Sequence, residues 1–307
     1  MTEPSDKNKG GPETPFRSGY VAIIGRPNVG KSTLLNQLLG EKVAIVTPKP
    51  QTTRNRITGI RTTSRSQIIF LDTPGIHQAH SLMNRRMVEI ALQTLHEVDG
   101  VLWLLDAHDR IGPEEERIAE ALRPLQTPVL ILLNKIDLVA KSKLLPLIQR
   151  CSELLPGKEI IPISALKGEG LAEVLKTVEG WLPEGPRYFP EGEFTDQSER
   201  FVASEIIREK IFLLTREEIP YGVAVTIDEF TEKEEKNLVV IKATIHTERA
   251  SHKPILIGKK GAMLKEIGRQ AREELEALLG CRVFLELFVR VDEGWTQNLQ
   301  ALKEMGL

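Results

Sequence analysis

Between residues 20 and 182, short apolar runs alternate with stretches whose apolar positions recur at helical spacing. Residues 20–24 (YVAII) predict a buried strand and residues 31–39 the helix after it. Residues 57–62 and 67–71 flank a polar turn and predict a hairpin. Further strands are predicted at 100–105, 128–133 and 160–163, with helices at 83–95, 113–125, 144–155 and 171–182. Strands that alternate with helices imply crossover connections. The expected fold class is therefore α/β: a mostly parallel sheet with helices on both faces and one antiparallel edge.

The pattern changes after residue 182. Residues 183–196 (PEGPRYFPEGEFTD) are rich in proline and glycine and predict a linker. Residues 199–214 predict an amphipathic helix. Residues 221–230 and 238–247 predict strands around the charged tip TEKEEKN. A helix at 261–279 would place Leu264, Ile267, Ala271, Leu275 and Leu278 on one face, and 283–291 predicts a last strand. The organisation expected is a first domain over 19–182 and an α+β domain over 197–307. Residues 1–18 are polar and lack an apolar segment. They predict a disordered tail, not a signal peptide or anchor.

Composition removes several function classes. The 41 basic and 43 acidic residues nearly cancel, so any argument for nucleic-acid binding must come from a local site. Aromatics are only 5%, which speaks against base stacking as the main binding device. Cys151 and Cys281 lie outside any C-x-x-C pattern, which argues for reduced cytosolic thiols and against a disulfide framework or zinc site. The apolar runs are strand-length and too short to span a bilayer.

The chemistry concentrates at the ends of the predicted strands. Residues Gly25-Arg26-Pro27-Asn28-Val29-Gly30-Lys31-Ser32 fit the phosphate-loop pattern between a strand and a helix. There, backbone N–H groups and the helix N-terminus favour phosphate. Lys31 is expected on the β- and γ-phosphates and Ser32 on Mg²⁺. Asp72-Thr73-Pro74-Gly75 ends another strand. Its carboxylate could hold Mg²⁺ through water, and the Gly75 N–H could sense the γ-phosphate. Asn134-Lys135-Ile136-Asp137 follows a third strand. Asp137 matches the two donors of guanine and would be left unpaired by adenine. Ser164-Ala165-Leu166 could present an N–H to the guanine O6.

These four motifs, in this order, resemble those of Ras-like P-loop GTPase domains. Nucleotide contacts are then expected from Gly25 to Ile76 at the motif positions, with Thr33 and Ile76 included, and from Asn134 to Asp137 and Ser164 to Leu166. In Pro50-Gln51-Thr52-Thr53-Arg54 a switch threonine is expected to close over Mg²⁺, Thr53 or alternatively Thr52. The catalytic candidates are Lys31, Thr53 and Gly75, and the metal candidates Ser32, Thr53 and Asp72. Ile76 stands where relatives carry a water-orienting glutamine. His77 beside it is expected as a surface residue. Asn28 resembles the potassium-coordinating asparagine of cation-assisted GTPases, with a plain loop brace as the other reading.

In the second half, Ile257-Gly258-Lys259-Lys260-Gly261 resembles the G-x-x-G loop of KH domains, which clamps single-stranded RNA. It joins two helical segments in an α-β-β-α-α-β order, the type II KH arrangement. Lys265 extends the expected RNA face, while Lys253, Arg269 and Arg272 either extend it or pair with Glu266, Glu273 and Glu276.

The chain after the tail resembles the Era family of ribosome-assembly GTPases. The resemblance is carried by GRPNVGKS, PQTTRNRI, DTPGIH, NKID, LPEGPRYFP, SERFVASEIIREKI and IGKKG. It implies GTP and GDP as ligands, Mg²⁺ as cofactor, and potassium as a candidate second ion. As partner it implies the small ribosomal subunit, bound near the 3′ end of its rRNA. It also implies a monomeric cytoplasmic protein with loose peripheral contact to the inner membrane.

Overall fold

A computed structural model describes residues 15–79 and 81–307, and the expected tail lies outside them up to position 14. The first sheet has the order β2-β3-β1-β4-β5-β6. Its strands are β1 (Arg17–Gly25), β2 (Ile57–Thr62), β3 (Ser66–Asp72), β4 (Gly100–Asp106), β5 (Val129–Asn134) and β6 (Glu159–Pro162). Only β2 runs antiparallel, against β3. Strand β1 begins at Arg17, earlier than the apolar run suggested, because Arg17 N donates to Arg65 O and extends the ladder.

Successive side chains of a strand point to opposite faces, and here both faces are covered. Val21, Ile23, Leu102 and Leu104 pack beneath α1 (Lys31–Leu39) and α5 (Leu171–Trp181). Ala22, Ile24, Val101 and Trp103 pack beneath α2 (Leu82–Thr94), α3 (Pro113–Leu122) and α4 (Leu144–Leu154). This two-sided burial is why the strands read as continuous apolar runs. The register aligns Ile23 with Asp72 and Asp106 with Asn134, so the motif residues gather at the carboxyl edge of one sheet. In open α/β sheets ligands bind at that edge, where the strand order reverses around β1.

The segment expected as a free linker is instead strapped along the β2–β3 edge. Ile60 N donates to Phe194 O at 2.8 Å, and Thr195 Oγ1 to Thr58 O at 2.7 Å. The Gln67 carboxamide accepts from Tyr188 N and Phe189 N and donates to Phe189 O. The strap thus supplies partners to an edge strand whose open N–H and C=O groups would otherwise invite association.

The second part contains α6 (Glu199–Leu214), β7 (Val223–Lys233), β8 (Leu238–Thr247), α7 (His252–Ile257), α8 (Ala262–Leu279), β9 (Arg282–Val291) and α9 (Leu299–Glu304). Its sheet has the order β7-β8-β9, antiparallel then parallel. Helices α6 and α8 cover one face, with Ile207, Ile211, Ile267 and Leu275 in the core. Leu278, expected on the apolar face of α8, is 52% exposed. Leu279 packs on the core in its place and turns Leu278 outward. Helix α9 has no counterpart among the sequence expectations. Asn298 caps it, and its Leu302 joins Trp295 in a small core with Met83 and Met87 of α2.

Candidate nucleotide site and nucleic-acid groove

The loop from Gly25 to Ser32 leaves β1 and enters α1 with no side-chain cap, so its free N–H groups face the open end. A cavity of about 370 Å³ opens there, lined by Gly30, Lys31, Ser32, Thr33, Thr53 and Gly75 among others. Lys31 Nζ folds back over the loop and donates to Gly25 O (3.2 Å) and Arg26 O (2.9 Å). Burial pushes its ammonium down to about 8, with Asp72 opposing. An incoming phosphate would therefore meet a charge already held in place.

Three oxygens converge beside it. Ser32 Oγ donates to Asp72 Oδ2 at 2.6 Å and lies 2.9 Å from Thr53 Oγ1, which itself reaches Asp72 Oδ2 at 3.3 Å. Burial pushes the Asp72 carboxyl up to about 6, against Lys31 and the two hydroxyl donors. Asp72 Oδ1 is buried without a hydrogen-bond partner. Two hydroxyls and one carboxylate, whose second oxygen is orphaned, make an all-oxygen donor set suited to Mg²⁺. Thr52 faces elsewhere, with its hydroxyl on Thr47 Oγ1 (2.8 Å) and Lys49 O (2.9 Å).

Gly75 presses against the phosphate loop. A Cβ there would sit 2.6 Å from Pro27 N, so only glycine allows this approach. Ile76 N donates to Gly25 O at 3.1 Å, while its side chain is buried in the core. Thr73 Oγ1 donates to Ile23 O, and Val29 packs in the core beneath the loop. These side chains support the site from below. His77 is half-buried, not a plain surface residue: Nδ1 donates to Gly75 O (2.8 Å) and Nε2 accepts from Gln51 Nε2 (3.2 Å).

On the base side, Asn134 ties two loops together. Its Nδ2 donates to Val29 O (2.7 Å) and its Oδ1 accepts from Ala165 N (2.9 Å). Ser164 Oγ donates to Asp137 Oδ1 at 2.6 Å and holds the carboxylate expected to read guanine. Lys135 lies over Asn28 O (2.7 Å) and Asp106 Oδ2 (2.6 Å). Ile136 is drawn towards the core, and Leu166 is exposed.

Two residues stand apart from the sequence expectations. The Arg26 guanidinium turns away from the phosphates to Asp109 (2.7 Å), Glu114 (3.7 Å) and Glu115, leaving only its backbone at the loop. Asp106 was not singled out, although a carboxylate ending an apolar strand that registers with Asn134 was a usable signal.

The second site lies between α8 and β9. Gly258 (φ 74) is followed by a single turn with Lys260 at φ 52 before α8 begins. A Cβ at Gly258 would meet Met263 N at 2.7 Å, so the turn depends on that glycine. Lys259, Lys260 and Lys265 are exposed and, among the described residues, have no ion-pair partner. Arg269 is instead held by Glu266 and Glu273, and Arg272 by Glu276. A groove of about 670 Å³ runs from Gly261 past Leu264 and Lys265 to Leu285 and Leu287. Ile257 packs against the core just before the loop.

Comparison with known proteins finds a match in each half of the chain. The family model described as 50S ribosome-binding GTPase matches residues 20–135, and the KH domain model matches 218–296. GTPase Era of Geobacter metallireducens is 53% identical over 96% of this chain and 99% of its own length. GTPase Era of Syntrophus aciditrophicus is 54% identical over 98% of each. A crystal structure of Era in complex with MgGDPNP and nucleotides 1506-1542 of 16S ribosomal RNA superposes with a TM-score of 0.91. It is 47% identical and covers 95% of this chain and 99% of that one. Aquifex aeolicus Era bound to GDP.AlF4- matches equally well. With a Ras-like P-loop domain and a KH domain both in place, the chain belongs to the Era family of GTPases.

Proposed function

We propose that this protein is a GTP-hydrolysing switch that binds the 3′ region of small-subunit rRNA and assists assembly of that subunit. The observation that carries the first half is the convergence of Ser32, Thr53 and Asp72 beside Lys31. The groove flanked by unpaired lysines supports the second half, as does the 16S fragment bound by the full-length structural match. The family model's description names the 50S particle, but it spans one domain only. The match across both domains bears more directly on the RNA.

In this reading the chain divides at the strap 183–196 into a GTPase domain over 19–182 and a KH domain over 197–307. Asp137 selects guanine, Lys31 neutralises the β- and γ-phosphates, and Gly75 donates its N–H to the γ-phosphate. Ser32, Thr53 and Asp72 would hold Mg²⁺, which would supply charge neutralisation for the transferring phosphoryl group. Potassium at Asn28 belongs to the same proposal. The Asn28 Nδ2 is engaged by Pro48 O at 3.1 Å, and its amide oxygen is the end that could ligate the ion. Monomeric action in the cytoplasm and loose inner-membrane contact rest on the family resemblance alone. Among the described residues no helix is long and apolar enough to cross a membrane.

A switch requires that nucleotide and RNA favour the same state. RNA affinity should then be higher with a non-hydrolysable GTP analogue than with GDP, by a coupling of about 1–3 kcal/mol. Equilibrium binding of a 3′-terminal small-subunit rRNA fragment measures this. Equal affinities would reduce the protein to a tethered RNA-binding module.

A further inference from the structure

Residues 42–55, between α1 and β2, lie against the KH domain along most of their length. Val46 N donates to Glu209 Oε1 at 2.9 Å, and Lys42 Nζ lies 2.8 Å from Glu209 and 2.6 Å from Glu274. Lys49 Nζ donates to the carbonyls of Phe212 and Thr215 at the end of α6. The two peptide units around Thr53 are held most tightly. On one side Arg208 of α6 donates to Thr52 O at 2.6 Å. On the other, the Arg54 side chain crosses into the KH domain and is 3% exposed there.

Its guanidinium fills a socket of backbone carbonyls. Nη1 donates to Val223 O (2.6 Å), and Nη2 to Pro220 O (3.1 Å) and Tyr221 O (2.9 Å). Gly222 O, the remaining carbonyl of this turn, accepts from Trp295 Nε1 at 3.1 Å. The rings of Phe212 and Trp295 each approach the guanidinium at 5.9 Å. Among the described residues no carboxylate forms an ion pair with it. Carbonyl dipoles and two aromatic faces replace the water of Nη1 and Nη2, while Nε is buried without a hydrogen-bond partner.

We propose that Arg54 is a positioning residue for GTP hydrolysis. Anchored in the KH domain, it holds Thr53, its neighbour in the chain, against Ser32 and Asp72. The second domain thereby completes the Mg²⁺ site of the first. This rests on the reading of Thr53 as a metal ligand. The physical reason is entropic. A threonine on a long connection has many conformations, and fixing its backbone costs conformational entropy. Pinning the carbonyl before Thr53 and the side chain after it removes that freedom before the nucleotide arrives.

The test is a double-mutant cycle in the full-length protein. It reads the Mg²⁺ concentration that half-saturates binding of a non-hydrolysable GTP analogue, with GDP affinity as the companion. Thr53→Ala should raise the Mg²⁺ requirement by about 10-fold, as loss of a metal-site partner commonly does. GDP affinity should stay the same. Arg54→Ala should reproduce both results although it does not touch the metal. Arg54→Lys should restore the wild-type requirement only in part, because a compact ammonium lacks the planar fork that reaches the three carbonyls from two separate nitrogens. The double variant should be no worse than Thr53→Ala alone. If Arg54→Ala does not fold, Arg208→Ala releases Thr52 O and should shift the requirement in the same direction. Additive effects, or equal losses of GDP and analogue binding, would overturn the proposal. So would a wild-type Mg²⁺ requirement in Arg54→Ala when Thr53→Ala raises it. An unchanged requirement in Thr53→Ala would instead remove the reading of Thr53 itself, and the proposal with it.

Discussion

The two candidate sites use lysine in opposite ways. Lys31 is buried, folded onto two carbonyls of its own loop and pushed down to about 8. Lys259 and Lys260 stand exposed on a glycine-framed turn with no ion-pair partner among the described residues. The difference follows from what each must meet. A transferring phosphoryl group develops charge at fixed points, and donors aimed there in advance act strongly in a water-poor site. A sugar-phosphate backbone presents charge at regular intervals along a flexible strand, where reach and counterion release matter more than fixed geometry.

That contrast can be broken most sharply at Lys31. Lys31→Ala should lower single-turnover hydrolysis by roughly 100-fold, about 3 kcal/mol, as expected for a preorganised donor. Near-wild-type turnover in Mg²⁺ buffer would show that the buried lysine is only a loop brace. A change of preference is expected at Asp137. Asp137→Asn should shift binding from GTP towards XTP, because an amide can pair with the carbonyl that replaces the guanine amino group. Competition among GTP, XTP and ATP measures it, and retained GTP selectivity in a folded variant would move base recognition elsewhere.

The exposed lysines should behave differently. Replacing Lys259 and Lys260 with Asp should weaken RNA binding and flatten the slope of log affinity against log salt by about 1.4, at about 0.7 per phosphate contact. GTP affinity without RNA should not change. An unaltered salt slope would mean that RNA bypasses this turn. The smallest effect concerns pH. Burial holds the Asp72 carboxyl at about 6, and metal binding needs its ionised form. The Mg²⁺ requirement for analogue binding should therefore be flat above pH 7 and rise as pH falls through about 6. A flat requirement down to pH 5 would place the metal away from Asp72.

The phosphate-loop, D-x-x-G and N-K-x-D segments were legible because each is a local strand-to-loop transition whose residues act within a few positions of one another. The choice of Thr53 was legible only as a preference. Thr52 and Thr53 are chemically alike, and what separates them is that one hydroxyl faces Thr47 while the other faces Ser32 and Asp72. The direction of the Arg26 side chain was not legible for the same reason: a motif position fixes the backbone, whereas Asp109 and Glu115, more than eighty residues away in the chain, decide where the guanidinium goes. The proline and glycine content of 183–196 predicts a linker and not a strap. Composition gives no sign of Gln67, whose one carboxamide pins the strap at Tyr188 and Phe189.

The sequence by itself determined the α/β and α+β division, the nucleotide motifs and the G-x-x-G turn. These depend on periodicity and on short-range backbone geometry, and both are written into neighbouring residues. Only the tertiary structure decided which side chains meet across the chain. Arg54 reads in sequence as one more arginine beside a switch threonine. Its burial among the carbonyls of residues 220, 221 and 223 depends on the segment before β2 meeting the turn that leads into β7. No local pattern encodes that contact, because the carbonyls and aromatic rings that offset the cost of desolvating the charge lie well over a hundred residues away.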